Sequence, residues 1–297
     1  MLAEGIHFNL GYVPLKHLGY KAVVVNLSDI AAMNATPTQI LVSVAVSSRF
    51  PVEALEEIYD GISLACNRYK IDLVGGDTTS SNAGLVISIT AIGLEKEENI
   101  VKRNGAKAND LLVLTGDLGG AYMGLQILER EHSVFLANPN MQPEMEGFDY
   151  ILERQLKPEA RTDIKKKLAE LDVLPTSMID VSDGLASEVL HLSDQSKVGF
   201  NIYEEKIPMD ETTIHTAAEL NLNPAMAALN GGEDYELLFT ISPNDFDKIK
   251  NHPDFTIIGH ATENNEGNFL IARGSNQLIP LTAQGWDAFL NKGQSLE

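Results

Sequence analysis

The sequence predicts an α/β (α+β) protein built as two sandwich-type domains. Three observations carry that prediction. Apolar, β-branched runs alternate with amphipathic helical stretches along the whole chain. A polar segment over residues 95–110, with Gly105 and few apolar residues, breaks the alternation once and divides the chain into 1–104 and 105–297. The 297 residues also suffice for two domains of about 100–200 residues each.

Composition narrows the function classes. Apolar residues make up 44% of the chain, with 23 glycines and 12 prolines, as in ordinary globular proteins. The net charge of −20, from 42 acids against 22 bases, argues against a nucleic-acid or anionic-membrane surface. If such a chain binds phosphates, metal ions must supply much of the neutralisation. The single cysteine, Cys66, excludes an intrachain disulfide or a cysteine-based zinc cluster and sits on an apolar helical face, as a core residue would. No apolar run approaches the ~18 residues of a membrane span, and no signal peptide precedes the fold, so a cytoplasmic location is expected.

Taken in order, Met1-Leu2-Ala3-Glu4-Gly5-Ile6-His7-Phe8 reads as an element already under way, without a cap or polar lead-in. Residues 12–18 form a connector. In 21–33, Val23-Val24-Val25 favours a strand locally, whereas Leu18, Ala22, Val25 and Asp29 keep a helical spacing that Asn34 would end; a helix is expected. Residues 40–46 are strand-like and apolar throughout, hence buried. The clearest helix is 51–69: Pro51 fits its first turn, Glu53, Glu56 and Glu57 face solvent, and Leu55, Ile58, Ile62, Ala65 and Tyr69 form one stripe. Strands follow at 71–74 and 85–94. Beyond the polar boundary, a strand at 111–114 runs through Thr115-Gly116-Asp117-Leu118-Gly119-Gly120 into a helix through Glu129. A loop is expected over 132–147, helices over 149–156 and 160–171, and a helix over 185–192. A strand at 199–203, helices at 211–220 and 224–229, a strand at 237–241 and a helix at 244–251 come next. Three short strands near Ile257, Phe269 and Leu278 precede an amphipathic segment holding Trp286. There are no internal repeats or low-complexity tails.

The chemistry concentrates in acid-plus-hydroxyl stretches at the ends of apolar runs. Ile179-Asp180-Val181-Ser182-Asp183-Gly184-Leu185 places two carboxylates and a hydroxyl within four positions. In a strand-to-turn geometry Asp180 and Ser182 point the same way. Oxygen ligands packed this tightly repel each other unless a hard cation neutralises them, and Mg²⁺ is the usual one. The alternative is that Ser182 or Asp183 merely caps the following helix. Gly75-Gly76-Asp77-Thr78-Thr79 and Asn26-Leu27-Ser28-Asp29 repeat the pattern, and the three together read as one polynuclear magnesium site assembled from distant parts of the chain. The glycine turn at 115–120 could cradle a phosphate, but it lacks GxGxxG and the P-loop lysine, so tight-turn packing is the better reading. Lys165, Lys166 and Lys167 suit a solvated face better than a phosphate clamp.

With NLSDIAAM (26–33), GGDTT (75–79), DVSDGL (180–185) and GGEDYEL (231–237) in this order and spacing, the chain resembles the thiamine-monophosphate kinase family. That family belongs to the ATP-binding superfamily named after aminoimidazole ribonucleotide synthetase. The resemblance runs from Glu4-Gly5-Ile6-His7-Phe8 to Gly285-Trp286. It implies an aminoimidazole ribonucleotide synthetase-like subunit. Its N-terminal sheet would form the interface of a homodimer, its C-terminal domain an α/β sandwich, and the cleft between them the active site. It implies direct in-line transfer from ATP to thiamine monophosphate, giving ADP and thiamine diphosphate, with several Mg²⁺ ions. Carried over position by position, Asp29, Asp77, Asp180 and Asp183 would be magnesium ligands. Gly76, Asp77, Arg103 and Ser182, with Tyr59, would belong to the nucleotide site, and His7, Glu233 and Trp286 to the substrate side. Arg103 and Asp180 would act in catalysis. The residue types suit the reaction, because phosphoryl transfer needs positioning and charge stabilisation more than a strong base. Arg103 could stabilise the transferring group or be a surface arginine. Glu233 suits a cationic ring, and Trp286 could stack on one or simply be core. His7 could contact substrate or serve the structure.

Members of that family also carry an earlier segment, with a Gly-Asp-Asp turn and a strand ending in Ser/Thr-Thr/Ser-Asp just before the stretch matching residues 2–8. Its absence ahead of Met1 implies an unpaired sheet edge, an incomplete metal cluster and reduced activity. Two other readings therefore stand beside the kinase. One is a catalytically impaired nucleotide-binding fragment. The other is a sister enzyme such as a cyclo-ligase, a selenide-water dikinase or a carbamoyl dehydratase. The reactive cysteines that the latter two would need do not coincide with Cys66.

Overall fold

The structure, a computed structural model, describes residues 1–283. Its first sheet is made of β1 (Leu2–Ala3), β2 (Thr36–Val46), β3 (Asp72–Ser80) and β4 (Leu85–Leu94), in the order β1-β4-β2-β3. β2 runs parallel to β3 and antiparallel to β4. Helices α1 (Leu15–Ala31) and α2 (Val52–Tyr69) lie on it. α1 begins inside the expected connector and carries Val23-Val24-Val25 as helix. These valines are strand formers locally, but Leu18, Ala22, Val23, Val24 and Leu27 are all buried, and that packing overrides propensity. α2 keeps its predicted stripe, with Ile58 and Ile62 fully buried at roughly 1.5–3 kcal/mol each and Cys66 in the same core. The two helices cross where each is glycine. A Cβ on Gly19 would stand 2.0 Å from the Ile58 carbonyl oxygen, and one on Gly61 1.9 Å from that of Lys16.

Two expectations for this sheet need correction. Residues 40–46 are not buried on both faces: Ile40, Val42 and Val44 point into the core, while Leu41 and Ser43 are exposed, because the helices cover one face only. The strand expected to end at Val74 continues through the glycines to Ser80, and every residue of β3 is exposed.

The second sheet comprises β5 (Leu111–Thr115), β6 (Ser177–Asp180), β7 (Gly199–Tyr203), β8 (Leu237–Ile241), β9 (Phe255–Thr262), β10 (Asn268–Ile271) and β11 (Leu278–Pro280). Their order is β11-β10-β7-β9-β5-β8-β6. Alternation divides its side chains between two cores, Leu112, Leu114, Ile179 and Leu238 on one side and Val113, Met178, Phe239 and Ile241 on the other. The helices are α3 (Gly120–Ala137), α4 (Asp149–Leu156), α5 (Ile164–Glu170), α6 (Leu185–Ser196), α7 (Glu211–Glu219), α8 (Pro224–Asn230) and α9 (Phe246–Ile249). α3 runs past Glu129 into the expected loop. α5 is shorter than 160–171 because residues 159 and 160 dock on the first unit instead. Glu159 accepts bonds from Tyr20 (3.0 Å), Tyr69 (2.5 Å) and Arg68 (2.8 Å), and Ala160 enters the first core. Lys167 pairs with Asp163 and Asp254, and Lys165 with Glu95, in keeping with a solvated, ion-paired face. Among the described residues no helix is long and apolar enough to cross a membrane. Trp286 lies outside the described residues.

Candidate active site

The site grows from the end of β6, the edge strand of the larger sheet, where α1 covers it. Asp180 is 3% exposed and accepts a 2.7 Å hydrogen bond from the Ser28 hydroxyl of α1. Burial pushes its carboxyl up to about 7; the nearby Asp29 adds to this and the Ser28 bond opposes it. Burial likewise raises Asp29, against the opposing charges of Arg103 and the chain's amino terminus. The two acids thus share a desolvation penalty and repel each other, and Arg103 offsets the charge of Asp29.

The turn after Asp180 settles the capping question. α6 begins after Gly184 with no side-chain cap, so neither Ser182 nor Asp183 serves as one. Instead Glu188, inside the helix, reaches back: its carboxylate accepts from the Asp183 amide (3.1 Å) and the Ser182 hydroxyl (3.3 Å). The Asp183 side chain remains exposed at the rim.

Beside this turn lies a cavity of about 440 Å³ between the two units. His7, Tyr12, Lys21, Glu129, Asp183 and Glu233 are among its lining residues. The His7 ring accepts from the Ala3 amide at 3.1 Å. Glu233 sits in a left-handed turn (φ +60°), and its amide donates to the Ser182 carbonyl at 2.7 Å. Its carboxylate receives Lys21 at 3.0 Å and the Gln155 amide at 2.9 Å.

The next acids of the same motif face inward. Asp234 accepts from the Gly119 and Ala121 amides (2.8 and 3.4 Å), so the start of α3 already holds a carboxylate of this chain. This favours packing over a phosphate cradle for the glycine turn. Glu236 accepts from Thr115 (2.6 Å), Arg154 (2.9 Å) and Arg161 (2.6 Å). Burial holds Asp234 up at about 6 despite the adjacent Arg154.

The structure therefore brings together Asp29, Asp180, Ser182, Asp183 and Arg103 on one side, and His7 with Glu233 on the other. Asp77 stands apart. It pairs with Ser43, on the face of the first sheet opposite Val42 and Val44, and its side chain accepts from the Thr78 amide. Gly76 is required by strand packing, since a Cβ there would meet the Val42 carbonyl oxygen at 1.9 Å. Tyr59 packs at the rim of the first core. Among the described residues no group of three acids, histidines or cysteines comes together to hold a metal. Sequence reasoning missed Lys21, Gln155, Glu188, Arg154, Asp234 and Glu236. The acids at alternating positions before β8 were the available signal for the last two, whereas nothing in the sequence sets Lys21 apart from its helix neighbours Lys16 and His17.

Comparison with known proteins gives the family and the fold. Residues 1–94 match the AIR synthase related protein, N-terminal domain, and residues 107–271 the corresponding C-terminal domain. A thiamine-monophosphate kinase of Bacillus subtilis is 33% identical over 294 residues, covering 97% of this chain and 86% of the relative. The chain belongs to the thiamine-monophosphate kinase family. Another family member, from Buchnera aphidicola (subsp. Schizaphis graminum), is 37% identical over 91% of this chain and 80% of its own length. The solved structure of AaThiL complexed with AMPPCP and TMP superposes with a TM-score of 0.82 at 30% identity, covering 97% of this chain and 85% of that one. Membership of this family sets aside the sister-enzyme reading.

Proposed function

We propose that the cleft between the two units transfers the terminal phosphoryl group of ATP to thiamine monophosphate, yielding ADP and thiamine diphosphate. The observation that carries this reading is the buried Asp29–Asp180 pair directly behind the Ser182–Asp183 turn, which lines the same cavity as Glu233. Asp29 and Asp180 are two mutually repelling carboxylates that suit a divalent cation, so this pair would contribute hard oxygen ligands to Mg²⁺, with Asp183 on the adjoining turn as a further candidate donor. Magnesium, when bound, would neutralise the phosphates that meet in this acidic cleft. Ser28 holds Asp180 in place, Glu188 fixes the Ser182–Asp183 turn, and Arg103 offsets charge beside Asp29. Glu233 and His7 face the organic part of the acceptor, with Trp286 assigned to the same side. Ser182 and Arg103, with Tyr59, belong to the nucleotide side; the resemblance assigns Gly76 and Asp77 there too, although Asp77 lies on the outer face of the first sheet.

The same reading includes two domains, 1–104 and 105–297, a cytoplasmic location and a homodimer. Support for the dimer comes from the outer face of the first sheet, where Leu41, Ile92 and Leu94 are exposed together. Asp77 lies on that face, so pairing of two sheets would bury it. The test is direct turnover. Full chain is incubated with ATP, Mg²⁺ and thiamine monophosphate, thiamine serves as control acceptor, and thiamine diphosphate is resolved by chromatography. Product that disappears in Asp180→Asn is expected. A folded, ATP-binding chain that forms no product would overturn the reading.

A further inference from the structure

We infer that Lys21 is a positioning residue, through which α1 holds the Glu233 carboxylate in place for the organic part of the acceptor substrate. The inference rests on the phosphoryl-transfer reading above. The Lys21 side chain is 6% exposed, a costly place for an ammonium unless it is paired. Its nitrogen donates to the Gln155 carbonyl at 2.8 Å and to Glu233 Oε2 at 3.0 Å, and the Gln155 amide donates to the same Oε2 at 2.9 Å. Both bonds load one oxygen of a carboxylate that is 27% exposed at the cavity.

The placement of Lys21 along α1 gives this bond its consequence. Ser28, which holds Asp180, lies seven residues further on. That is two helical turns on the same face, roughly 10 Å along the axis. A single rigid helix from the first unit thus grips the second unit at two points, the acid at the phosphate end and the acid at the organic end. The Glu233 backbone is tied independently to Ser182, at the base of the metal-binding turn. The spacing between the two ends of the cleft is therefore set by a helix and not by the left-handed turn alone.

Positioning and plain electrostatics predict opposite signs for the removal of Lys21. The cavity also carries Glu129, and the charges of Glu129 and Glu233 both act on Tyr12. Deleting the lysine makes the cavity more negative and, by charge alone, should tighten the cationic ring of the acceptor. If Lys21 acts by holding Glu233, binding should weaken. In the full chain, Lys21→Met is expected to raise KM for thiamine monophosphate about tenfold, the scale of one charge-assisted hydrogen bond. It should leave kcat within about threefold and AMPPCP affinity unchanged. Combined with Glu233→Gln, it should add almost nothing, because both changes break one interaction. An unchanged or lower KM, or full additivity with Glu233→Gln, would overturn the role. Should Lys21→Met fail to melt cooperatively, Lys21→Gln keeps a donor without the charge; a smaller KM rise is expected, and none would count against the role equally. Wild-type chain that binds AMPPCP but no thiamine monophosphate would instead overturn the acceptor assignment on which the role depends.

Discussion

β3 and β6 are both edge strands, and both carry an acid with hydroxyls beside a glycine turn or step. In sequence the two stretches look alike. In the structure they differ in what covers them. α1 lies over the end of β6, burying Asp180 against Ser28 and Asp29, and the carboxyl rises to about 7. Every residue of β3 is exposed, and the Asp77 side chain accepts from the next amide. A carboxylate gains unusual chemistry from the element laid across it, not from the residues beside it in sequence.

Substitution of each acid separates the two regions most sharply. Asp180→Asn should lower turnover by about 10²–10³-fold or more, measured as thiamine diphosphate formed per minute, while relieving a buried charge and raising the melting temperature of the metal-free protein. Asp77→Asn should change the unfolding free energy by no more than the range of an exposed site, about ±0.5 kcal/mol. Equal stability effects would erase the distinction between the two edges. Next in size is the ion cluster behind β8. Arg154 bonds Glu236 and the Asp117 carbonyl and pairs with Asp234, so Arg154→Met leaves buried acids uncompensated. A loss of about 3–5 kcal/mol in denaturant unfolding is expected. A loss below about 1 kcal/mol would show that the β6 side does not depend on its buried polar support.

Much of this fold is legible in sequence because periodicity reports burial. The strands at 85–94, 199–203 and 237–241 and the helix at 149–156 fall where the pattern puts them. The misreadings share one cause. Residues 40–46 look buried on both faces because apolar side chains occupy both, yet only one face meets helices. β3 continues through two glycines because a neighbouring strand supplies the pairing that propensity does not. At the site, acids that end apolar runs are visible, and their resemblance to a family names several of them. The groups that hold those acids are not visible, because Ser28, Lys21 and Gln155 lie 152, 212 and 78 residues from the carboxylates they contact.

A pH titration sharpens the same contrast on the buried side. The folded-state carboxyl of Asp234 lies at about 6, chiefly through burial, against the ordinary aspartate value of about 4. The folded state therefore holds this proton more tightly between those two values. Its contribution to stability is greatest below the unfolded value and is lost as pH rises to about 6, with little change beyond. Relative to Asp234→Asn, the wild type should lose on the order of 2 kcal/mol between pH 4 and pH 7. Parallel stability curves for the two proteins would remove the buried-charge account of this cluster.

The smallest expected change in single-chain stability belongs to the bare region. Leu41, Ile92 and Leu94 share the outer face of the first sheet, and Leu41 is 37% exposed in one chain. In an isolated subunit, Leu41→Lys exchanges one solvent-facing side chain for another and should alter folding by less than about 0.5 kcal/mol. If two such faces meet in the homodimer, the same change places ammonium groups in an apolar interface, where desolvation is costly. Sedimentation equilibrium should then show a dimer for wild type and a monomer for Leu41→Lys, with the monomer's circular dichroism unchanged. A variant that stays dimeric would move the interface elsewhere and leave β3 exposed for some other reason. A variant that unfolds would show that the outer face supports the subunit itself, and the contrast between the two edge strands would no longer hold.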